Sequence, residues 1–293
     1  MKNKIEIYQI DAFTKEPFCG NSAGVTFGDN LNDGIKQQIA KEMNLAETAF
    51  LSKSDKADFH LQWFTPTVQV ELCGHATIAS LHFLKEHSLL KNGQTITFDT
   101  RSGILKCKME DDKYFMQIPL YAMQNYEGKT KDIFSALRIS EDNLAQNIPM
   151  VLLENTNLYV CIKSLEDLKN VSPNFKDLIK ISEMNKKISG FALFTLDTIE
   201  ETSFTHSRYF APYWGIDEDP VTGSMNGPLL PVLKHLNLIT EEQMENNLIF
   251  EQGDFMDRSG RVGVKFYPTE NELYISGDAV TVIKGELIFN VRF

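Results

Sequence analysis

Cysteine is scarce in this sequence: Cys19, Cys73, Cys107 and Cys161 are the only four, far apart and with no C-x-x-C pair among them. Such spacing excludes a disulfide framework and a zinc-finger module, so reduced thiols are expected. Positive charge is also in short supply. The 29 Lys and Arg are outnumbered by 40 Asp and Glu, giving a formal charge of −11, and the basic clusters are short and mixed with acids. A surface of that sign repels nucleic-acid phosphates and anionic membranes, so neither is an expected partner. No run of about 18 apolar residues occurs. Met1-Lys-Asn-Lys-Ile-Glu-Ile leads into an alternating pattern without a cationic and then apolar leader, and a cytoplasmic location is expected. Low-complexity tracts are missing too. With 42% apolar and 24% charged residues over 293 positions, the composition is that of a folded protein with room for two cores.

What is present is an internal echo. Trp63-Phe64-Thr65-Pro66, Cys73-Gly74-His75-Ala76 and Arg101-Ser102-Gly103 are answered in the same order by Tyr209-Phe210-Ala211-Pro212, Thr222-Gly223-Ser224-Met225 and Arg258-Ser259-Gly260. The two sets imply two similar halves, each aiming the start of a buried helix at a ligand. A helix start carries unpaired N–H groups and partial positive charge, so it suits a small anionic metabolite or an anion that develops during reaction.

Local patterns fill in the elements. Alternation from residue 4 to 13 reads as a half-buried strand, and Asn30 is an acceptable N-cap for a helix through Ile35, Ile39 and Met43. Further strands are expected at 48–52, 59–64, 95–98, 104–109 and 114–118, around an apolar helix over 75–90. The second half is expected to hold strands at 151–154, 158–162, 191–196 and 264–267, with a helix over 223–235. An amphipathic insert, Thr240–Asn246, has a Thr N-cap and an acidic first turn. The main boundary falls near Pro119. The expected domains are 1–119, completed by strands from 279–293, and 120–278.

Val68–Leu72 is extended and apolar, which puts Gly74 at a strand-to-helix turn where backbone can approach a ligand closely. Asp217, Glu218 and Asp219 precede the second helix, and one acid suffices for a cap; Asp219 reads equally as a cap or as a group that positions a catalytic residue. From the residues alone, Glu47 is a surface acid after a helix, Cys73 a small buried hydrophobe and His75 a hydrogen-bonded histidine. His82 and His87 sit in no H-x-x-x-H or HExxH arrangement, and no metal site is supported.

Together, Asp11-Ala-Phe-Thr14, Phe18-Cys-Gly-Asn21, Ala46-Glu47-Thr-Ala-Phe50, Trp63-Phe-Thr-Pro66, Cys73-Gly-His-Ala-Thr77 and Glu218-Asp-Pro-Val-Thr-Gly-Ser224 resemble the PhzF-like, phenazine-biosynthesis-type isomerases. The resemblance spans almost the whole chain. It implies an α+β, diaminopimelate-epimerase-like fold: two pseudo-symmetric domains, each of β-strands wrapped around a central α-helix, with the active site between them. It further implies a homodimer and an isomerase that needs neither metal nor organic cofactor.

On that resemblance, Glu47 matches the glutamate that shuttles a proton on a carbon acid, and His75, Asp219 and Ser224 match its supporting residues. Asn21, Cys73, Gly74, Thr222 and Gly223 are the matched substrate contacts. A carboxylate in a closed, partly apolar cleft is expected to have a pKa raised toward neutrality, as a group that both takes and returns a proton requires. The strand expected at 190–196 offers no carboxylate, which favours one base over two. Two alternatives stand beside this reading. A two-thiol racemase of the same fold needs a cysteine before each helix-opening glycine, and Thr222 fills the second place. A metabolite-binding protein would keep the site without turnover. Ser224-Met225-Asn226-Gly227-Pro228 departs from the common Ser-Ala-His-Cys, and Ser22 stands where proline usually follows Gly-Asn. Pocket shape, substrate, product and any link to phenazine synthesis therefore stay open.

Overall fold

The computed structural model describes residues 3–289. Met1 and Lys2 of the N-terminal reading, and residues 290–293 of the expected closing segment, lie outside the described residues. Two compact units emerge: one formed by the chain up to Gln117 together with the segment from Ser276 onward, the other Ile118–Ile275.

In the first unit, strand Asn3–Ala12 pairs antiparallel with both Asn21–Phe27 and Ala279–Phe289. The last of these is one continuous strand where the sequence pattern suggests two; its register shifts opposite Gln9/Ile10, where Val282 is the extra residue. Asn21–Phe27 runs parallel to Glu47–Ser52, with Ala23 opposite Glu47. Between these two strands lies helix Asp33–Met43, capped by Asn32, whose side chain accepts from the Ile35 N–H. The cap therefore falls two residues later than Asn30, which instead adopts a left-handed turn at φ 66°.

Strands of this unit pack on helix Gly74–Glu86, ten of whose 13 residues are buried. Burial on more than one face follows from small residues at Ala76 and Ala79 and from hydroxyls that satisfy themselves: Thr77 donates to Cys73 O and Ser80 to Ala76 O. The helix ends at Glu86, four residues short of the expected Leu90, because Ser88 turns left-handed at φ 60°.

The second unit repeats the plan. Asn157–Cys161 and Gly190–Thr195 pair in parallel, and Ser203–Ala211 joins Gly190–Thr195 on one side and Leu248–Gln252 on the other. Its central helix, Gly223–His235, again has 13 residues. Pro228 and Pro231 lie inside it, so Ser224 O and Gly227 O lack their usual i+4 donors. The insert is a single helical turn, Glu241–Met244, with a full capping box between Thr240 and Gln243. Helices Lys131–Leu137, Leu165–Asn170 and Phe175–Met184, which the pattern reading did not anticipate, contribute to a second apolar cluster around Leu137, Leu168, Leu178 and Phe191. No helix among the described residues is long and apolar enough to cross a membrane.

Candidate active site

Each central helix opens identically. Cys73 and Thr222 are its extended N-cap residues, at φ −144°, ψ 114° and φ −115°, ψ 100°, and neither makes a side-chain cap. Neither helix has an acid in its first turn. The N–H groups of Gly74, His75, Gly223 and Ser224 have no acceptor among the described residues. These are donors without a protein acceptor, in elements that bring no negative charge of their own to the dipole.

The Arg-Ser-Gly echo supports both openings. Ser102 Oγ donates to Glu71 O at 2.8 Å, just before Cys73. In the second unit, Gly260 lies against Val221; a Cβ there would sit 2.4 Å from Val221 Cγ2.

In the first unit, Glu47 opens its strand at only 7% exposure, not the surface position that its place after a helix suggests. Asn44 ends the preceding helix in a left-handed cap, and the short connection turns the next strand inward at once. Glu47 Oε2 lies 3.1 Å from His75 Nε2, misaligned for a hydrogen bond, and neither atom has another polar partner among the described residues. On the far edge of the imidazole, Nδ1 meets Asn21 Nδ2 at 3.2 Å and Cys73 Sγ at 3.6 Å. The Asn21 amide suits both charge states: Nδ2–H donates to a neutral Nδ1, and a half-turn offers Oδ1 to an imidazolium.

Burial alone would lower the His75 pKa, but Cys73 and Glu47 outweigh it and hold the imidazole well above its ordinary value. For Cys73, burial and then Glu47 push the thiol up to about 11, against a smaller pull from His75. A thiol so placed is protonated at neutral pH.

Glu47, Cys73 and His75 are also the one group of three metal-type donors among the described residues, with ligand atoms within 4.8 Å of one another. Cys73 lies on the Nδ1 side of the ring and Glu47 on the Nε2 side.

In the second unit, the three acids before the helix have separate fates. Asp217 is exposed, Glu218 is held by Arg208 in a two-point pair at 2.7 and 2.8 Å, and Asp219 is buried, accepting from the Thr222 hydroxyl. Ser224 is half-buried with no side-chain partner among the described residues. Met225 and Asn226, the residues that depart from the common pattern, are fully buried. Asn226 donates to Gln252 Oε1 at 2.7 Å and accepts from Ser207 Oγ at 3.1 Å, so it is part of the unit's packing. Gln252 was not singled out from the sequence; its only signal there is a polar residue in phase with buried Phe250 on a strand.

Comparison with known proteins agrees with this architecture. A family model described as phenazine biosynthesis-like protein matches residues 10–285. An uncharacterized isomerase of Clostridium acetobutylicum is 37% identical over 99% of this chain and 100% of its own length. A crystal structure of a Bacillus anthracis phenazine biosynthesis protein of the PhzF family superimposes with a TM-score of 0.85 at 27% identity, over 98% of this chain and 100% of that one. A hydroxyproline epimerase from Agrobacterium vitis shares the fold, with a TM-score of 0.62 at 11% identity over 97% of this chain and 92% of that one. The chain therefore belongs to the phenazine biosynthesis-like, PhzF family of isomerases, on the diaminopimelate-epimerase-like α+β fold.

Proposed function

We propose that this isomerase moves a proton between carbons of a small carboxylated metabolite, with Glu47 as the shuttle and no metal or organic cofactor. One observation carries the reading: Glu47 Oε2 and His75 Nε2 face each other at 3.1 Å, buried, with no other polar partner among the described residues. Two buried polar atoms left in that state are costly, and a substrate that completes their hydrogen bonding recovers the cost. Glu47 takes the proton; His75 stabilises whichever carboxyl form results, and the free N–H groups of Gly74 and His75 bind the enolate-like charge. Asp219, Ser224 and the N–H of Gly223 keep in this proposal the supporting roles, and Asn21, Cys73 and Thr222 the substrate contacts, that the resemblance implies for them. A homodimer in the cytoplasm belongs to the same proposal.

The thiol alternative is weakened by two contacts. Burial keeps Cys73 protonated, and the Thr222 hydroxyl is committed to Asp219.

The test is incubation in deuterated buffer with candidate carboxylates from a cell extract, read by mass spectrometry. Deuterium incorporation lost in Glu47→Gln and kept in Cys73→Ala supports the assignment. Incorporation that survives in Glu47→Gln overturns it, and an unlabelled but bound metabolite in wild type points to a binding protein.

A further inference from the structure

Gln252 ends strand Leu248–Gln252 and is 1% exposed, yet every hydrogen-bonding position of its amide is used. Its Oε1 accepts from the Thr222 N–H at 2.9 Å and from Asn226 Nδ2 at 2.7 Å. Its Nε2 donates to Asp219 O at 2.8 Å and to Thr222 Oγ1 at 3.1 Å. The orientation is unambiguous, because a backbone N–H only donates and a backbone carbonyl only accepts. One consequence follows for the hydroxyl. Since Thr222 Oγ1 accepts a hydrogen bond from Gln252 Nε2, its own hydrogen is directed to Asp219 Oδ2.

The surroundings hold this amide still. Gly253, at φ 90°, is pressed so closely that a Cβ would lie 2.7 Å from Pro220 O, and Glu251 is locked to His206 at 2.9 Å. The turn 219–222 is thus gripped by the end of a neighbouring strand.

We infer that Gln252 is a positioning residue: acting through Thr222, it fixes the hydroxyl donor from which Asp219 accepts at the mouth of helix Gly223–His235. This deepens the proposed function, which gives Asp219 its role, but the contact network stands without it. Other titratable groups of this unit around Asp219 are accounted for. Tyr209 lies opposite it across the strand pair, donates to Asn157 and is kept protonated by burial. Glu218 is paired with Arg208, Asp217 is exposed, and Glu251 belongs to the His206 pair.

The experiment needs no substrate, so its outcome is independent of the reaction assigned. In full-length protein labelled with ¹³C-aspartate, the Asp219 carboxyl is titrated by NMR. Thr222→Val removes the donor and should raise the midpoint by about one unit, a tenfold gain in proton affinity. Gln252→Met should raise it comparably, and should add nothing on the Thr222→Val background. An unchanged midpoint in folded Gln252→Met, or additive effects of the two changes, overturns the inference. Should Gln252→Met not fold, the wild type decides: a slowly exchanging Thr222 hydroxyl proton coupled to Asp219 is required, and a freely exchanging one refutes the assignment.

Discussion

His206 Nδ1 lies 2.9 Å from Glu251 Oε2, and both side chains are wholly buried. Glu251 also accepts from the N–H groups of Ile199 and Glu200, each at 2.8 Å. Burial pushes its carboxyl up, and the hydrogen bonds from His206, Ile199 and Glu200 more than reverse this, to about 2. A carboxylate depressed on folding stabilises the protein above its unfolded pKa and stops doing so as pH falls from about 4.5 toward 2. Glu251→Gln should therefore lower stability at pH 7 by on the order of 3 kcal/mol, with the difference shrinking steadily through that acid window. Urea unfolding of both proteins at stepped pH measures it.

The Glu47–His75 pair has the opposite sign. An imidazole whose pKa is raised on folding contributes its full stabilisation below the ordinary histidine value, and that contribution fades as pH rises through the raised value. His75→Gln should thus cost most stability near pH 6, on the order of 1–3 kcal/mol, and progressively less in alkali. Denaturation curves across pH 6–10 decide; a cost that grows with pH would mean that His75 is neutral in the fold.

Thiol labelling should follow exposure. Cys19 is half-exposed, whereas Cys73, Cys107 and Cys161 are buried, with burial raising all three thiols. Iodoacetamide at neutral pH should modify Cys19 first and reach the others only on unfolding, as resolved by peptide mass spectrometry.

Gly253→Ala should destabilise strongly. Its Cβ would stand 2.3 Å from Arg258 O, at a φ of 90° that L-residues rarely adopt. Strain of about 1–3 kcal/mol from the dihedral alone, added to the clash, should lower the melting temperature markedly. The displaced Pro220–Thr222 turn should appear as shifted amide resonances at Gly223 and Ser224.

Both helix openings were legible in the sequence: the first because an extended apolar segment leads into glycine and a helical run, the second because Thr222-Gly223-Ser224 echoes it in the same order. Thr240 was legible as a cap for the same local reason. What could not be read depends on distant partners. Strand Ser203–Ala211 hides behind polar positions, since His206 and Ser207 are buried only because Glu251 and Asn226 satisfy them. The three helices between 131 and 184 are short, and their apolar faces acquire meaning only against Phe191 and its neighbours. Glu47 was identified as chemical through resemblance. Its burial comes from the parallel pairing with Asn21–Phe27, which no local pattern announces. Gln252 is beyond local reading altogether, since its partners lie 26 to 33 positions away.

The pairing of Asn3–Ala12 with Ala279–Phe289 has a consequence for biogenesis. A ribosome must emit the whole of Ile118–Ile275 before Asn3–Ala12 can meet Ala279–Phe289, so the unit that holds both strands completes its sheet only after the other has emerged. A nascent chain stalled before Ala279 would carry a competent later lobe attached to an earlier one with an uncovered sheet margin, inviting chaperone capture there.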